Sequence, residues 1–178
     1  MPQDLLDLYG TASEWANGKL IRAGTDLDGP TPCDEWDVRR LLNHMLDTQR
    51  YFLSNAHGED APPPSPTPPQ LLSGDPLRDF TRSRADMLAA FGEAGVIEKT
   101  GPSLGIAFSD QLLHGWDLAE ATGQDSAMPA GLAEAAYNMI HGRFTDEQRK
   151  GVFKPAIAVA DDASPQERLL AYTGRAGR

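Results

Sequence analysis

Apolar residues recur at helical spacing along most of this chain. Leu5, Leu6, Leu8, Tyr9, Ala12, Trp15, Ala16, Leu20 and Ile21 predict a first helix from about Asp4 to Ala23. Asp37 is placed to cap a second helix, whose stripe is Val38, Leu41, Leu42, Met45, Gln49, Phe52 and Leu53. Asp75-Pro76 reads as the cap and first turn of a third, reaching about Gly95, with Leu77, Phe80, Arg84, Met87, Leu88 and Phe91 on one side. Gly101-Pro102 interrupts the pattern. A fourth helix is predicted from about Gly105 to Thr122, stopped by Gly123, and Pro129 opens a fifth to about His141. In the tail, Ile157-Ala-Val159 reads as a short strand. Ser164-Pro165-Gln166-Glu167 is a capping box for a last short helix that ends at Gly174.

The predicted class is all-α: four main helices in a bundle, with short C-terminal helices. We expect a single domain over residues 1–178, with an extension at 143–178. The segment 61–69, Ala61-Pro-Pro-Pro-Ser-Pro-Thr-Pro-Pro69, is incompatible with helix. It lies in a connection of roughly twenty residues, long for a compact domain. At about 3.1 Å per residue in polyproline geometry, it could run the length of a bundle. A short loop would make the second and third helices antiparallel neighbours; this one predicts a crossover with the two parallel. Its Pro63-x-x-Pro66 and Pro66-x-x-Pro69 spacings match SH3 ligands formally, but no basic residue flanks them.

Composition narrows the class of partner. A net charge of -10 without a basic cluster argues against nucleic acid. The apolar runs are too short to span a bilayer, and Met1-Pro2-Gln3-Asp4 does not begin a signal peptide. Cys33 is the only cysteine; it excludes an intrachain disulfide and fits a reducing cytoplasm.

The candidate chemistry lies in three residues. Asp110 and His114 are four apart, so on a helix they point the same way, and a bundle could bring His44 opposite them. Two imidazoles and a carboxylate are a recurring ligand set for a catalytic metal with open positions. Taken singly, each residue has an ordinary reading: a hydrogen-bonded boundary histidine, or a helix carboxylate–histidine pair. The surroundings weigh against these, because Asp110 and His114 sit among Ile106, Phe108, Leu112, Leu113, Trp116 and Leu118. A carboxylate buried there needs a partner. Asp117, one turn on, is an orienting acceptor for an imidazole, a surface acid or an arginine partner. Cys33 is a metal thiolate or, more commonly, a small hydrophobe. His57 and His141 read as solvent-facing or capping. Arg82 and Arg84 read as solvated, with one able to hold an acidic substrate at the bundle mouth. Trp15, Trp36 and Trp116 read as core.

These segments resemble a known family. Thr31-Pro-Cys-Asp-Glu-Trp-Asp-Val-Arg-Arg-Leu-Leu-Asn-His44 is similar to the entry of the second helix in relatives of the N-terminal domain of mycothiol-dependent maleylpyruvate isomerase, within the DinB-like superfamily. Asp110-Gln-Leu-Leu-His-Gly-Trp-Asp-Leu-Ala-Glu-Ala-Thr-Gly-Gln124 resembles the second signature of those proteins. Asp161-Asp-Ala-Ser-Pro-Gln-Glu-Arg-Leu-Leu-Ala-Tyr-Thr-Gly-Arg175 resembles the ending of an actinobacterial branch. The resemblance implies a DinB-like four-helix bundle with a helix 2–3 crossover. It implies a divalent metal, typically zinc or nickel, held by His44, Asp110 and His114. Asp110 stands where Glu is usual, one methylene shorter. The isomerase has a large second domain for which the few dozen residues after the fifth helix are too few, so its own reaction is not carried over. The function implied is a metal-dependent enzyme that uses a small thiol of the mycothiol type against a small electrophile, as transferase or isomerase. The alternatives are a non-catalytic, metal-stabilised binding or stress-response module and a metal-free bundle with buried histidines. A homodimer is compatible with a bundle of this size.

Overall fold

The computed structural model describes residues 2–34 and 36–176. Its elements are α1 (Pro2–Asn17), α2 (Leu20–Ala23), α3 (Val38–His57), α4 (Pro76–Gly92), α5 (Val96–Thr100), α6 (Ser103–Ala121), α7 (Leu132–Ile140), α8 (Asp146–Lys150) and α9 (Pro165–Tyr172). They fall into two compact units, Met1–Ala127 and Met128–Arg178. The all-α expectation holds. Among the described residues the one β pairing is an isolated bridge between Pro30 and Asp37. No helix among them is long and apolar enough to cross a membrane.

The first unit is a four-helix bundle of α1, α3, α4 and α6. Leu41, Leu42 and Met45 near the start of α3 cluster with Phe80 near the start of α4 and with Ala16 and Leu20 toward the other end of α1 and α2. At the far end of α3, Gly58 lies beside Lys99 in α5, just after α4 finishes. So α3 and α4 run parallel, and α1 runs against both. Asn55 and Gly58 share a cleft with Thr100 and Ser103, which puts the end of α3 beside the start of α6 and makes that pair antiparallel. The proline-rich connection returns along α3, as its composition predicts. Asp47 Oδ2 accepts from the Ser65 amide at 3.4 Å, and Arg40 donates to the Pro66 carbonyl at 2.7 Å. Asn43 Oδ1 accepts from the amides of Leu71 and Leu72 at 2.6 and 3.0 Å.

α1 and α6 approach most closely at Gly115. A Cβ there would lie 2.8 Å from Trp15 Cζ3 and 2.9 Å from the Ala16 Cβ. Glycine lets the two backbones pack at a distance no other residue permits. Asp37 caps α3 by accepting from the Arg40 amide at 2.8 Å, and Asp75 caps α4 by accepting from Arg78 at 3.1 Å. The Ser164 capping box is formed.

Four expectations are corrected. The first helix breaks after Asn17, where the Lys19 amide turns to the carbonyl of Ala16, three residues back, and α2 restarts at Leu20. The third helix stops at Gly92, because Glu93 adopts an extended backbone and Gly95 the left-handed one. Leu77 is 45% exposed and not part of the core. The segment Ile157-Ala-Val159 forms no strand: the Ile157 amide donates to the Ala171 carbonyl, and both apolar side chains face water.

In the second unit, α7 packs on α9, and Ala136 and Ile140 of α7 and Leu169 and Leu170 of α9 are buried. The Tyr172 hydroxyl donates to the Ile140 carbonyl at 3.3 Å. α8 is an unanticipated turn of helix whose Thr145 and Gln148 make their own capping box.

Replacing Asn43 by Ala leaves the Leu71 and Leu72 amides without their acceptor. We expect a loss of about 1–3 kcal/mol, measured by denaturant unfolding of the full chain, with helix content retained.

Candidate metal centre

His44 and the Asp110–His114 pair face one another across the antiparallel α3–α6 contact. His44 Nε2 lies 3.6 Å from Asp110 Oδ1, and His114 Nε2 lies 3.5 Å from the same oxygen. The two imidazoles meet edge to face, with centroids 4.9 Å apart. The side chains are 16%, 16% and 12% exposed, so the cluster sits at the boundary of the bundle and not in its dry centre.

The burial of Asp117 decides against one of its three sequence readings. Its side chain has no exposure, and its Oδ2 lies 2.9 Å from His114 Nδ1. A carboxylate only accepts, so Nδ1 is the donor in this contact, and Nε2 is the nitrogen that faces Asp110. The Cys33 thiol donates to the same Oδ2 at 3.2 Å. The surface-acid reading of Asp117 does not fit this burial. Cys33 is half-buried and packs against the core edge, so the hydrophobe reading is partly right and omits its donor role.

Trp36 packs against the core, as pattern reading placed it, and also flanks the histidines. It is more than core: its ring lies 4.7 Å from the His44 ring and 6.3 Å from that of His114. Its position just ahead of the Asp37 cap is the signal that could have placed it, since that turn enters α3 close to His44. Thr48, one turn beyond His44, puts its hydroxyl 3.4 Å from Nε2. The arginines are elsewhere. Arg82 is 84% exposed beside Asp86. Arg84 bonds the Gly10 carbonyl at 3.0 Å and Ser13 Oγ at 3.1 Å, tying α4 to α1. His57 and His141 are exposed, as expected, and His141 stacks on Tyr137.

The donor set fits a divalent ion. Ligands about 2.1 Å from a tetrahedral centre lie about 3.4 Å from one another, close to the observed 3.5 and 3.6 Å. Asp110 Oδ2 and His44 Nδ1 are buried without a hydrogen-bond partner. A carboxylate oxygen left so is costly unless something cationic meets the group. A second trio, Cys33, His114 and Asp117, also lies within ligand range. Its atoms are already matched as donors and acceptor, so the first trio is the better cation site.

The sequence profile of the mycothiol maleylpyruvate isomerase N-terminal domain matches residues 13–119, more than half of the chain. The chain belongs to this family. His44, Asp110, His114, Asp117, Cys33 and Trp36 all fall inside the span that this isomerase-domain family defines. Two uncharacterized proteins of Mycobacterium tuberculosis, from strains CDC 1551 / Oshkosh and H37Rv, are similar to it. Each is 27% identical over 160 residues, covering 85% of this chain and 86% of theirs. No solved structure matches the chain.

Tyr9 lies within electrostatic range of the site and donates to Gln49 Oε1 at 2.9 Å. Burial pushes its phenol above the ordinary range; the Arg84 guanidinium pulls the other way, and the Asp110 carboxylate adds to the rise. A folded-state value above the unfolded one, near 10, stabilises the fold fully below that pH and is lost as pH rises toward the folded value. Thermal melts of Tyr9→Phe should therefore show less alkaline loss of stability above about pH 10 than the parent.

Proposed function

We propose that this isomerase-domain family member binds a divalent metal, zinc or nickel, through His44, Asp110 and His114, and directs a small thiol of the mycothiol type against a small electrophile, as a transferase or isomerase. The observation that carries the reading is the convergence of two imidazole nitrogens on one carboxylate oxygen, with the far nitrogen of His114 held by a buried acid. A divalent ion held there would supply Lewis acidity and would favour the thiolate form of a coordinating thiol, whose proton would pass to solvent.

The chain's own residues account for the rest. Asp117 fixes the tautomer and ring orientation of His114, the task that outer carboxylates perform for ligating histidines. Trp36 packs beside His44, with ring centroids 4.7 Å apart, and narrows the approach to that imidazole. Asp110 reaches both imidazoles at 3.5–3.6 Å, so the shorter acid suffices to stand between them. A cytoplasmic setting follows from the chemistry, since the Cys33 thiol and a free thiol cosubstrate both need reducing conditions. Maleylpyruvate isomerisation itself is not proposed.

The second reading is a metal-stabilised module without turnover. It is favoured by the low exposure of the three side chains, 12–16%, which limits the room for two substrates.

Elemental analysis of the untagged full chain, expressed with mixed metals, should find near-stoichiometric metal in the parent. It should find none in His44→Ala or His114→Ala. Metal-free parent protein, with all three folded, overturns both readings. Asp117→Asn should keep the fold and lower metal affinity by about 10–100-fold, read by competition with a chelator. Saturable mycothiol binding that disappears with His44→Ala supports the enzyme. Chelation that lowers the melting temperature while no thiol binds supports the module.

A further inference from the structure

A serine or threonine inside a helix either reaches solvent or turns its hydroxyl back to the carbonyl four residues earlier. The buried hydroxyls of Ser13, Ser109 and Thr173 turn back. Ser13 donates to the Tyr9 carbonyl at 2.7 Å, Ser109 to Gly105 at 3.0 Å and Thr173 to Leu169 at 3.1 Å. Thr48 on α3 does neither. It is 4% exposed, and its hydroxyl meets the His44 ring instead of the His44 carbonyl, with Oγ1 3.4 Å from Nε2. That contact is longer than a well-made hydrogen bond, so the hydroxyl is held near the nitrogen and bonded to it only weakly. Back-bonding would satisfy a buried hydroxyl better.

The nitrogen involved is the one that faces Asp110, 3.6 Å away, and that the proposed site gives to the ion. For Nε2 to have a lone pair to give, the ring proton must sit on Nδ1, and the Thr48 O–H is then the donor. The hydroxyl stands on the side of Nε2 to which the lone pair points, at hydrogen-bonding geometry. A lone pair given to an ion is no longer available to a hydroxyl. Ion binding at His44 therefore takes the acceptor from Thr48 and leaves a buried O–H in need of another, directed at the same place.

We infer that Thr48 is the hydrogen-bond donor to the atom that takes the open position of the metal centre, and that it makes this position selective for a thiolate. The inference rests on the metal- and thiol-binding reading proposed for His44, Asp110 and His114. A thiolate sulfur keeps lone pairs after it coordinates, so it can accept from the hydroxyl. The coordinating nitrogen of a neutral imidazole has none left. A donor is needed here because the Asp110 and Asp117 carboxylates disfavour an incoming anion. Thr48 offsets that repulsion without adding a charge.

The test loads cobalt(II), whose visible absorption changes with its ligands, into the full-length parent, Thr48→Val and Thr48→Ser. Valine keeps the shape of threonine and lacks the hydroxyl; serine keeps the hydroxyl. Cobalt affinity is read by competition with a chelator, and each loaded protein is titrated with mercaptoethanol and with imidazole. Thr48→Val should hold cobalt and bind imidazole as the parent does, and bind mercaptoethanol about tenfold or more weakly, the order expected for one hydrogen bond to a charged acceptor. Thr48→Ser should recover most of the thiol affinity. Equal thiol affinity in Thr48→Val overturns the inference. So does loss of cobalt from folded Thr48→Val, which would make the hydroxyl a ligand, or an equal weakening of imidazole, which would make the effect one of packing. A parent that holds no cobalt, or holds it and binds no thiol, overturns the inference together with the reading it rests on. A parent that binds both, beside an unchanged Thr48→Val, overturns this inference alone.

Discussion

A carboxylate with no access to water must be matched by donors, and much of the first unit is arranged around meeting that need at Asp117. The cost of burying the charge unpaired would be several kcal/mol. One donor, His114, comes from the same helix; another, Cys33, comes from the turn that leads into α3. Meeting the requirement ties that turn to α6. Trp36 is carried with the turn and lies over His44. Four consecutive residues of α6 then have separate tasks. His114 faces α3, Gly115 admits α1, Trp116 fills the core and Asp117 holds the network together.

The helices were legible because their periodicity and caps agree: Asp37, Asp75 and Ser164 all cap as their positions predict. The crossover was legible because prolines exclude helix and set a reach. The broken first helix was not, since Asn17-Gly18 inside an apolar stripe is weak punctuation, and the tertiary packing of α1 and α2 decides it. Ile157 and Val159 misled because alternation predicts a strand only where a partner edge exists, and among the described residues none pairs with them. For the site, Asp110 and His114 could be paired by spacing alone. That His44 meets them depends on which helices are neighbours, and the contribution of Cys33 and Trp36 depends on the path of a turn. Neither is encoded locally.

The two units divide their electrostatics differently. In the first, charges are resolved internally: Arg84 is shared by Gly10, Ser13 and Glu14, and Asp47 by Arg50 and the Ser65 amide. In the second, the Arg149 guanidinium is held by the Tyr172 and Phe153 rings and by the Tyr172 carbonyl. Asp110 Oδ2 and His44 Nδ1 are among the buried atoms of the first unit without a hydrogen-bond partner, and they belong to the candidate centre.

The parallel course of α3 and α4 has a consequence for biosynthesis. As the chain leaves the ribosome, α1, α3, the crossover and α4 are complete before α6 exists. His44 and Trp36 are then synthesised with nothing to meet across the bundle, and Trp15 and Ala16 lack the glycine they pack on. α6 brings that glycine and delivers Asp110, His114 and Asp117 in the same event. The chemistry of the site therefore has no half-built form: the polar cluster comes into being only as the last helix of the bundle docks.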